Sequence, residues 1–284
     1  MVYLSEFHFP DIGAEENFLF GLKRTCYDTV YPFGILSRHG LTRLDFEPVT
    51  ILYGGNGSGK TTALNVMAQT LGLPRDSRYN RSNFFEAYTR SCSFEWAEKP
   101  ACSRVITSDD VFEFMLNLRA INEGVDRKRE ELFDEYLEAK YSKFQMRSLD
   151  DYEKLKKVTQ ARSKTQSRFV RENLAGNVRE HSNGESALLY FQEKMQDGGL
   201  YLLDEPENSL SPEKQQELCR FLQDSARFFS CQLIIATHSP FLLAMKGAKI
   251  YDFDEDPVDV KRWTQLKNVR AYYDFFRQHS GEFE

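Results

Sequence analysis

The stretch that most constrains the fold runs from Val49 to Thr62. An apolar, β-branched run, Val49-Thr50-Ile51-Leu52-Tyr53, leads into Gly54-Gly55-Asn56-Gly57-Ser58-Gly59-Lys60-Thr61-Thr62, which satisfies the pattern G-x-x-x-x-G-K-[ST]. A helix-forming run follows, so the glycines fall at a strand-to-helix turn, the context in which the pattern makes a phosphate cradle. Glycine suits that turn because the backbone must adopt positive φ and present successive N–H groups with no Cβ in the way. The helix beginning near Gly59 adds its positive end to the same anion. Lys60 is then placed to reach the β and γ phosphates and the Thr61 hydroxyl to ligate Mg²⁺. The expected ligand is a nucleoside triphosphate.

At 284 residues, a single α/β domain with an insertion is the expectation. The 41% hydrophobic and 28% charged composition is ordinary for a globular chain that can bury a full core. The longest apolar runs, such as Phe241-Leu242-Leu243-Ala244-Met245, fall far short of the roughly 20 residues a membrane span needs. Membrane insertion is therefore not expected, and the amino-terminal residues carry no secretion pattern. Five cysteines (26, 92, 102, 219, 231), odd in number and without a C-x-x-C pair, argue against a disulfide framework or a zinc site. A reducing, cytoplasmic setting fits that usage. With a net charge of −6, any contact with nucleic acid has to be local.

Along the chain, residues 3–9, Tyr31 to Leu36 and Leu41 to Phe46 show extended patterns. They predict short antiparallel strands ahead of the cradle strand. A helix from about Gly59 to Leu71 is expected to bury Leu64, Met67, Ala68 and Leu71, with Gly72 and Pro74 stopping it. Strands are expected at Ser91 to Trp96 and Arg104 to Thr107. From Asp109 the pattern turns helical, with Phe112, Met115, Leu116 and Leu118 as an apolar stripe. A second and third helix are expected over 126–171, broken near Ser148, with arms of roughly 40 Å.

Within this insert, Lys154 to Arg171 contains seven basic residues and no acid. Gln160, Lys164, Arg168 and Arg171 would share one helical face able to meet DNA or RNA phosphates. The bland alternative is a solvated face balanced by the acid-rich stretch Glu130 to Glu138. Further on, Gly199 to Leu203 is a continuous apolar run ending in Asp204-Glu205, the pattern of a buried parallel strand with its acids at the carboxyl end. Ser211 and Pro212 open a helix burying Leu218, Phe221, Leu222 and Ala226. Cys231 to His238 is a second buried strand, and 268–278 a closing helix without assigned chemistry.

Two further motifs carry a family resemblance. His181-Ser182-Asn183-Gly184-Glu185-Ser186 resembles the signature motif of ATP-binding-cassette (ABC) ATPases in its S-x-G-E form. Ile234-Ile235-Ala236-Thr237-His238-Ser239-Pro240 resembles the switch-histidine strand of the same family, and Glu207-Asn208-Ser209-Leu210-Ser211 stands in the place of its D-loop. With the phosphate loop and the Asp204-Glu205 strand, these landmarks span 49–240 in the family's order. The style is nearer the soluble RecF-like, chromosome-maintenance-like and OLD-like ATPases, often grouped as AAA-family proteins, than the transporter cassettes. Two departures stand out: the glutamine usual after the strand before the insert is missing, with Ser108 or Asp109 in its place, and Ser211 replaces the D-loop aspartate.

The resemblance implies an α/β P-loop fold of ABC-ATPase type, with a mainly parallel core sheet, an N-terminal antiparallel β portion and a compact helical insert at about 109–180 of a single 1–284 domain. It implies that the backbone and side chains of Gly54, Gly55, Asn56, Gly57, Ser58, Gly59, Lys60, Thr61 and Thr62 hold ATP, with Thr61 and Asp204 on Mg²⁺. Glu205 would activate the attacking water and His238 would sense the γ-phosphate. Ser182, Asn183, Gly184 and Glu185 would meet ATP bound to a second copy, giving an ATP-dependent homodimer that opens on hydrolysis. Such a clamp would serve DNA maintenance, repair or anti-phage defence, alone or with an effector protein. The rival reading is the nucleotide-binding subunit of an ABC transporter. A P-loop kinase or GTPase leaves Ser182 to Glu185 and His238 unexplained. For adenine stacking, Tyr31 and Phe33 are the nearest guesses.

Overall fold

The computed structural model describes residues 1–22, 29–142, 152–173 and 183–283. In chain order the elements are β1 (Leu4–His8), α1 (Ile12–Gly21), β2 (Arg43–Asp45), β3 (Val49–Tyr53), α2 (Lys60–Leu71), α3 (Phe85–Arg90), β4 (Ser93–Trp96) and β5 (Cys102–Thr107). There follow α4 (Ser108–Tyr141), α5 (Tyr152–Ser163), α6 (Gln166–Asn173), α7 (Asn183–Lys194), β6 (Gly199–Asp204) and α8 (Pro212–Phe228). The chain continues through β7 (Gln232–Thr237), α9 (Pro240–Leu243), β8 (Lys249–Asp252), β9 (Asp259–Val260) and α10 (Lys267–Gln278).

The fold is α/β. One sheet has the order β5-β6-β7-β3-β8-β9, parallel throughout except for the antiparallel edge strand β9. Strands β3, β6 and β7 are nearly all apolar, as strands covered on both faces must be, and every residue of β3 and β7 is buried. The second sheet, β2-β1-β4, is small and antiparallel. Gln232 ties the two together: its buried carboxamide oxygen accepts from the Tyr3 and Leu4 amides, both at 2.8 Å, while its Nε2 donates to the Leu4 carbonyl at 2.8 Å. Phe7, Leu44, Leu52, Leu64, Met67, Leu202 and Ile234 pack in the core between these layers and α2.

The parallel register aligns the carboxyl ends. Thr107 pairs with Asp204, Asp204 with Ala236, and Tyr53 with both Thr237 and Asp252. In open α/β sheets ligands bind outside this edge. The cradle strand β3 and the acid-bearing strand β6 are separated there by β7 alone.

The chain forms two compact units, Met1–Phe112 with Asn183–Glu284, and Glu113–Ser182. Helix α4, whose residues from Glu113 onward belong to the second unit, is one unbroken helix of 34 residues, about 51 Å long at 1.5 Å per residue. The expected separation near residue 126 does not occur, because no proline or glycine interrupts Val125 to Tyr141 and its many Glu, Lys, Arg and Leu residues favour helix. The expected apolar stripe is only partly buried: Met115 is covered, whereas Phe112 and Leu116 are exposed. The break expected near Ser148 lies outside the described residues. Leu132, Tyr136, Ala161, Phe169 and Val170 form this unit's own small core.

Other expectations are corrected too. Residues 31–36 form turns rather than a strand, since Pro32 removes a ladder donor and Gly34 takes φ of 74°. Helix α1, not anticipated, is capped by Asp11, whose carboxylate accepts from the Ala14 amide at 2.7 Å. The basic face of Gln160, Lys164 and Arg168 is not one helical face, because α5 ends at Ser163 and α6 starts at Gln166. Its charge is partly answered: Lys164 and Arg168 both pair with Glu172, and Lys157 pairs with Glu135 on α4. No described helix is long and apolar enough to cross a membrane.

Candidate active site

The phosphate loop connects β3 to α2 at the carboxyl edge of the sheet. Gly59 adopts φ of 97°, and a Cβ there would sit 3.2 Å from both the Ile35 and Leu36 side chains. At Gly54 a Cβ would come within 2.5 Å of Ser58 Oγ and 3.1 Å of the Phe253 Cβ, so the loop closes only on glycine. Lys60 is buried, and its ammonium donates to the Gly54 and Gly55 carbonyls at 2.7 and 2.9 Å. A buried ammonium held by its own loop's carbonyls is poised to exchange those acceptors for the stronger, charged oxygens of a phosphate. In the same loop Ser58 Oγ is buried without a partner among the described residues, a polar atom that a bound phosphate would satisfy.

Across the sheet edge, the Thr61 hydroxyl donates to Asp204 Oδ1 at 3.0 Å. Burial pushes the Asp204 carboxyl up to about 6, with the adjacent Glu205 adding to the rise and the Thr61 hydrogen bond opposing it. Among the described residues no group of three or more His, Cys, Asp or Glu is arranged to hold a metal ion. Thr61 and Asp204 nonetheless fit Mg²⁺, which is usually held by one or two protein oxygens plus substrate phosphates and water.

Glu205 follows the strand in a left-handed conformation, φ 47°, with its amide donating to the Ala236 carbonyl at 2.9 Å. A non-glycine residue held there is a strained feature of the kind that collects at functional sites. Its carboxylate accepts from Asn208 Nδ2 at 2.9 Å and lies 3.6 Å from His238 Nδ1. His238 is half exposed at the end of β7. Behind it lies the buried Glu207, whose Oε1 accepts from Thr237 Oγ1 at 2.5 Å and from the His238 and Ser239 amides at 3.2 Å each. Burial raises the Glu207 carboxyl, and its hydrogen bonds from Thr237 and the turn act against that rise.

Lys60, Thr61, Asp204, Glu205 and His238 are thus gathered on one edge. Asn56 and Gly57 are exposed on the cradle, and Thr62 is buried beneath it. The signature residues are only partly described. Ser182 lies outside the described residues, and α7 begins at Asn183, so Asn183 and Gly184 belong to its first turn instead of preceding a helix at Glu185. Glu185 is exposed. After β5 the chain enters α4 at once, so Ser108 and Asp109 lie in a helical first turn and not in a loop. Asp110 anchors that turn, accepting from the Thr107 amide at 2.7 Å and the Thr107 hydroxyl at 2.9 Å. Phe33 cannot stack on a base: it is buried against Phe18 and edge-on to Tyr88. Tyr31 lies beside the cradle, its hydroxyl donating to Thr62 Oγ1 at 3.3 Å.

Three contributors were not anticipated. Glu207 stands in the sequence simply as part of the D-loop segment, although a third acid directly after Pro206 is a visible signal. Asp254, just beyond β8, accepts from the Gly55 amide at 2.8 Å. Asn268 of α10 donates through Nδ2 to the His238 carbonyl at 3.3 Å and through its amide to the Tyr53 hydroxyl at 3.0 Å. Neither Asp254 nor Asn268 belongs to a motif, so only the fold brings them in.

Residues 101–244 match the model of a family described as "AAA domain, putative AbiEii toxin, Type IV TA system", 144 of the chain's 284 residues. No curated protein matches the sequence significantly. Among solved structures, the Smc head domain with an extended coiled coil bound to the C-terminal domain of ScpA, from Pyrococcus furiosus, aligns at 14% identity and a TM-score of 0.45, covering 98% of this chain and 100% of that one. The SMC head domain from Thermotoga maritima aligns at 11% identity and 0.40, covering 92% and 99%. An ABC transporter of metal-chelate type in an inward-facing conformation aligns at 16% identity and 0.39, covering 82% of each chain.

Proposed function

We propose that this chain, which belongs to the AAA-domain family matched over residues 101–244, is an ATP-hydrolysing switch that closes as a pair over two ATP molecules. The observation that carries this reading is the convergence, at one sheet edge, of a phosphate cradle, a Thr61–Asp204 oxygen pair and a strained glutamate facing a histidine.

Lys60 would leave the Gly54 and Gly55 carbonyls for the β and γ phosphates, and Ser58 Oγ would gain an acceptor. Mg²⁺, held by Thr61 and Asp204, would neutralise charge developing on the phosphate oxygens. Glu205 would orient a water and accept its proton, a general-base role that requires the carboxylate at the γ-phosphate end of the cradle. His238, 3.6 Å from Glu205, would donate to the γ-phosphate and so register its loss. Ser182 to Glu185 of one copy would contact the ATP of the other. Charge-assisted contacts of roughly 1.5–3 kcal/mol each are large enough, several together, to shift a two-state equilibrium decisively.

The family description names an AAA domain and a type IV TA system, which supports a role in defence with a separate effector over the transporter reading. The ion pairs that answer Lys157, Lys164 and Arg168 favour a solvated basic face in the insert over a nucleic-acid stripe. Phosphate release from ATP with Mg²⁺ tests the activity directly. Lys60→Ala is expected to lose ATP binding, measured by calorimetry, and retained affinity would undo the cradle assignment.

A further inference from the structure

Glu207 has no place in the chemistry above, yet it is one of the most deeply buried acids of the first unit, 3% exposed. One of its oxygens takes three donors of the turn that carries the histidine: the Thr237 hydroxyl and the His238 and Ser239 amides, the last of which also donates to Thr237 Oγ1 at 3.0 Å. The other carboxylate oxygen is buried with no partner among the described residues. A carboxyl placed this way is not a surface acid held by chance, since its burial is offset only through that single oxygen. The same turn is braced from the far side. Ser239 Oγ donates to Gln215 Oε1 at 2.7 Å, and Gln215 Nε2 donates to the Leu210 carbonyl at 3.0 Å. Leu210 in turn donates its amide to the Glu207 carbonyl at 3.1 Å. The hydrogen bonds therefore close a ring through Glu207, Leu210, Gln215 and Ser239.

We infer that Glu207 is a positioning residue that locks the histidine turn 237–239 to the loop 205–211, so that His238 and Glu205 move as one body, with Gln215 as the brace. This rests on the ATPase reading above and adds to it a residue that touches neither nucleotide nor water. His238 is otherwise held at its main chain by Asn268, and its ring is half exposed, so the hydrogen bond from its amide to Glu207 Oε1 is what fixes where the ring begins. The uncommitted second oxygen leaves the acceptor role to one atom, which a glutamine carbonyl reproduces. Glu207 Oε1 also lies 3.8 Å from His238 Nδ1, and glutamine keeps the hydrogen bonds while removing the charge.

The test compares Glu207→Ala, Glu207→Gln and Gln215→Ala, with Gln215 chosen because it lies partly exposed on α8 and its loss leaves the core intact. Glu207→Ala is expected to lower kcat by about tenfold to a hundredfold with KM for ATP within about twofold of the parent. Glu207→Gln should stay within about threefold of the parent, and Gln215→Ala should lower kcat several-fold at unchanged KM. Hydrogen exchange read by NMR should show the His238 and Ser239 amides opening at least tenfold faster in Glu207→Ala and in Gln215→Ala, and protected in Glu207→Gln. A parental kcat in Gln215→Ala and Glu207→Ala, a KM that rises as kcat falls, or a glutamine variant as impaired as alanine would each overturn the inference. Should Glu207→Ala fail to fold, the Gln215→Ala and Glu207→Gln pair decides alone. A parent chain that hydrolyses no ATP would contradict the proposed function, and amide exchange would then still decide the ring, with equal protection in all variants overturning it.

Discussion

At the scale of single residues, the site is marked by groups kept in states they would not choose alone. Glu205 sits at φ 47°, and only glycine, asparagine and aspartate visit that region readily. Glu205→Asn is therefore expected to raise stability by about 0.5–1 kcal/mol while slowing turnover by about 10²–10⁴-fold. Denaturant titration read beside phosphate release checks both, and a variant that loses stability would remove strain as the explanation. Asp204 behaves likewise. Its carboxyl is raised from 3.8 to about 6, so between about pH 4 and 6 the folded chain binds a proton that the unfolded chain does not. Stability from this group is present below that window and declines as pH rises through it. In magnesium-free buffer, Asp204→Asn should flatten the decline by an amount of order 2 kcal/mol in unfolding measured from pH 4.5 to 7. An unchanged slope would place the pH dependence elsewhere.

At the scale of elements, local signals were readable and their continuations were not. The turn from β3 into α2 could be placed because glycine, lysine and threonine each answer a local demand, and Gly72 ends α2 in the left-handed conformation expected of a helix stop. The extent of α4 could not, since a polar helix shows weak periodicity and only the absence of a stop signal argues for continuity. Nor could Phe112 and Leu116 be seen as exposed, because a stripe on a sequence does not say whether a partner covers it. Gly124, in the middle of α4 with nothing within 4 Å of an added Cβ, offers a direct test of that helix. Gly124→Ala should stabilise the Glu113–Ser182 unit by about 0.5–1 kcal/mol, read as added protection in hydrogen exchange along α4. A loss of protection would contradict an uninterrupted helix.

At the scale of the whole molecule, the parallel sheet aligns motifs that lie far apart in the chain. Lys60, Asp204 and His238 could be named from the sequence because each ends or follows a buried strand. Asp254 and Asn268 could not, since they reach the cradle and the histidine only through the order of strands and the docking of α10. The proposed pairing of two copies is the claim on which the switch depends, because in that proposal Ser182 to Glu185 of one copy contact the ATP held by the other. The most direct measurement is analytical ultracentrifugation of Glu205→Gln with and without Mg²⁺ and ATP. The sandwich predicts a monomer without nucleotide and a stable dimer with it, whereas a monomer in both conditions, with ATP shown to be bound, would contradict it.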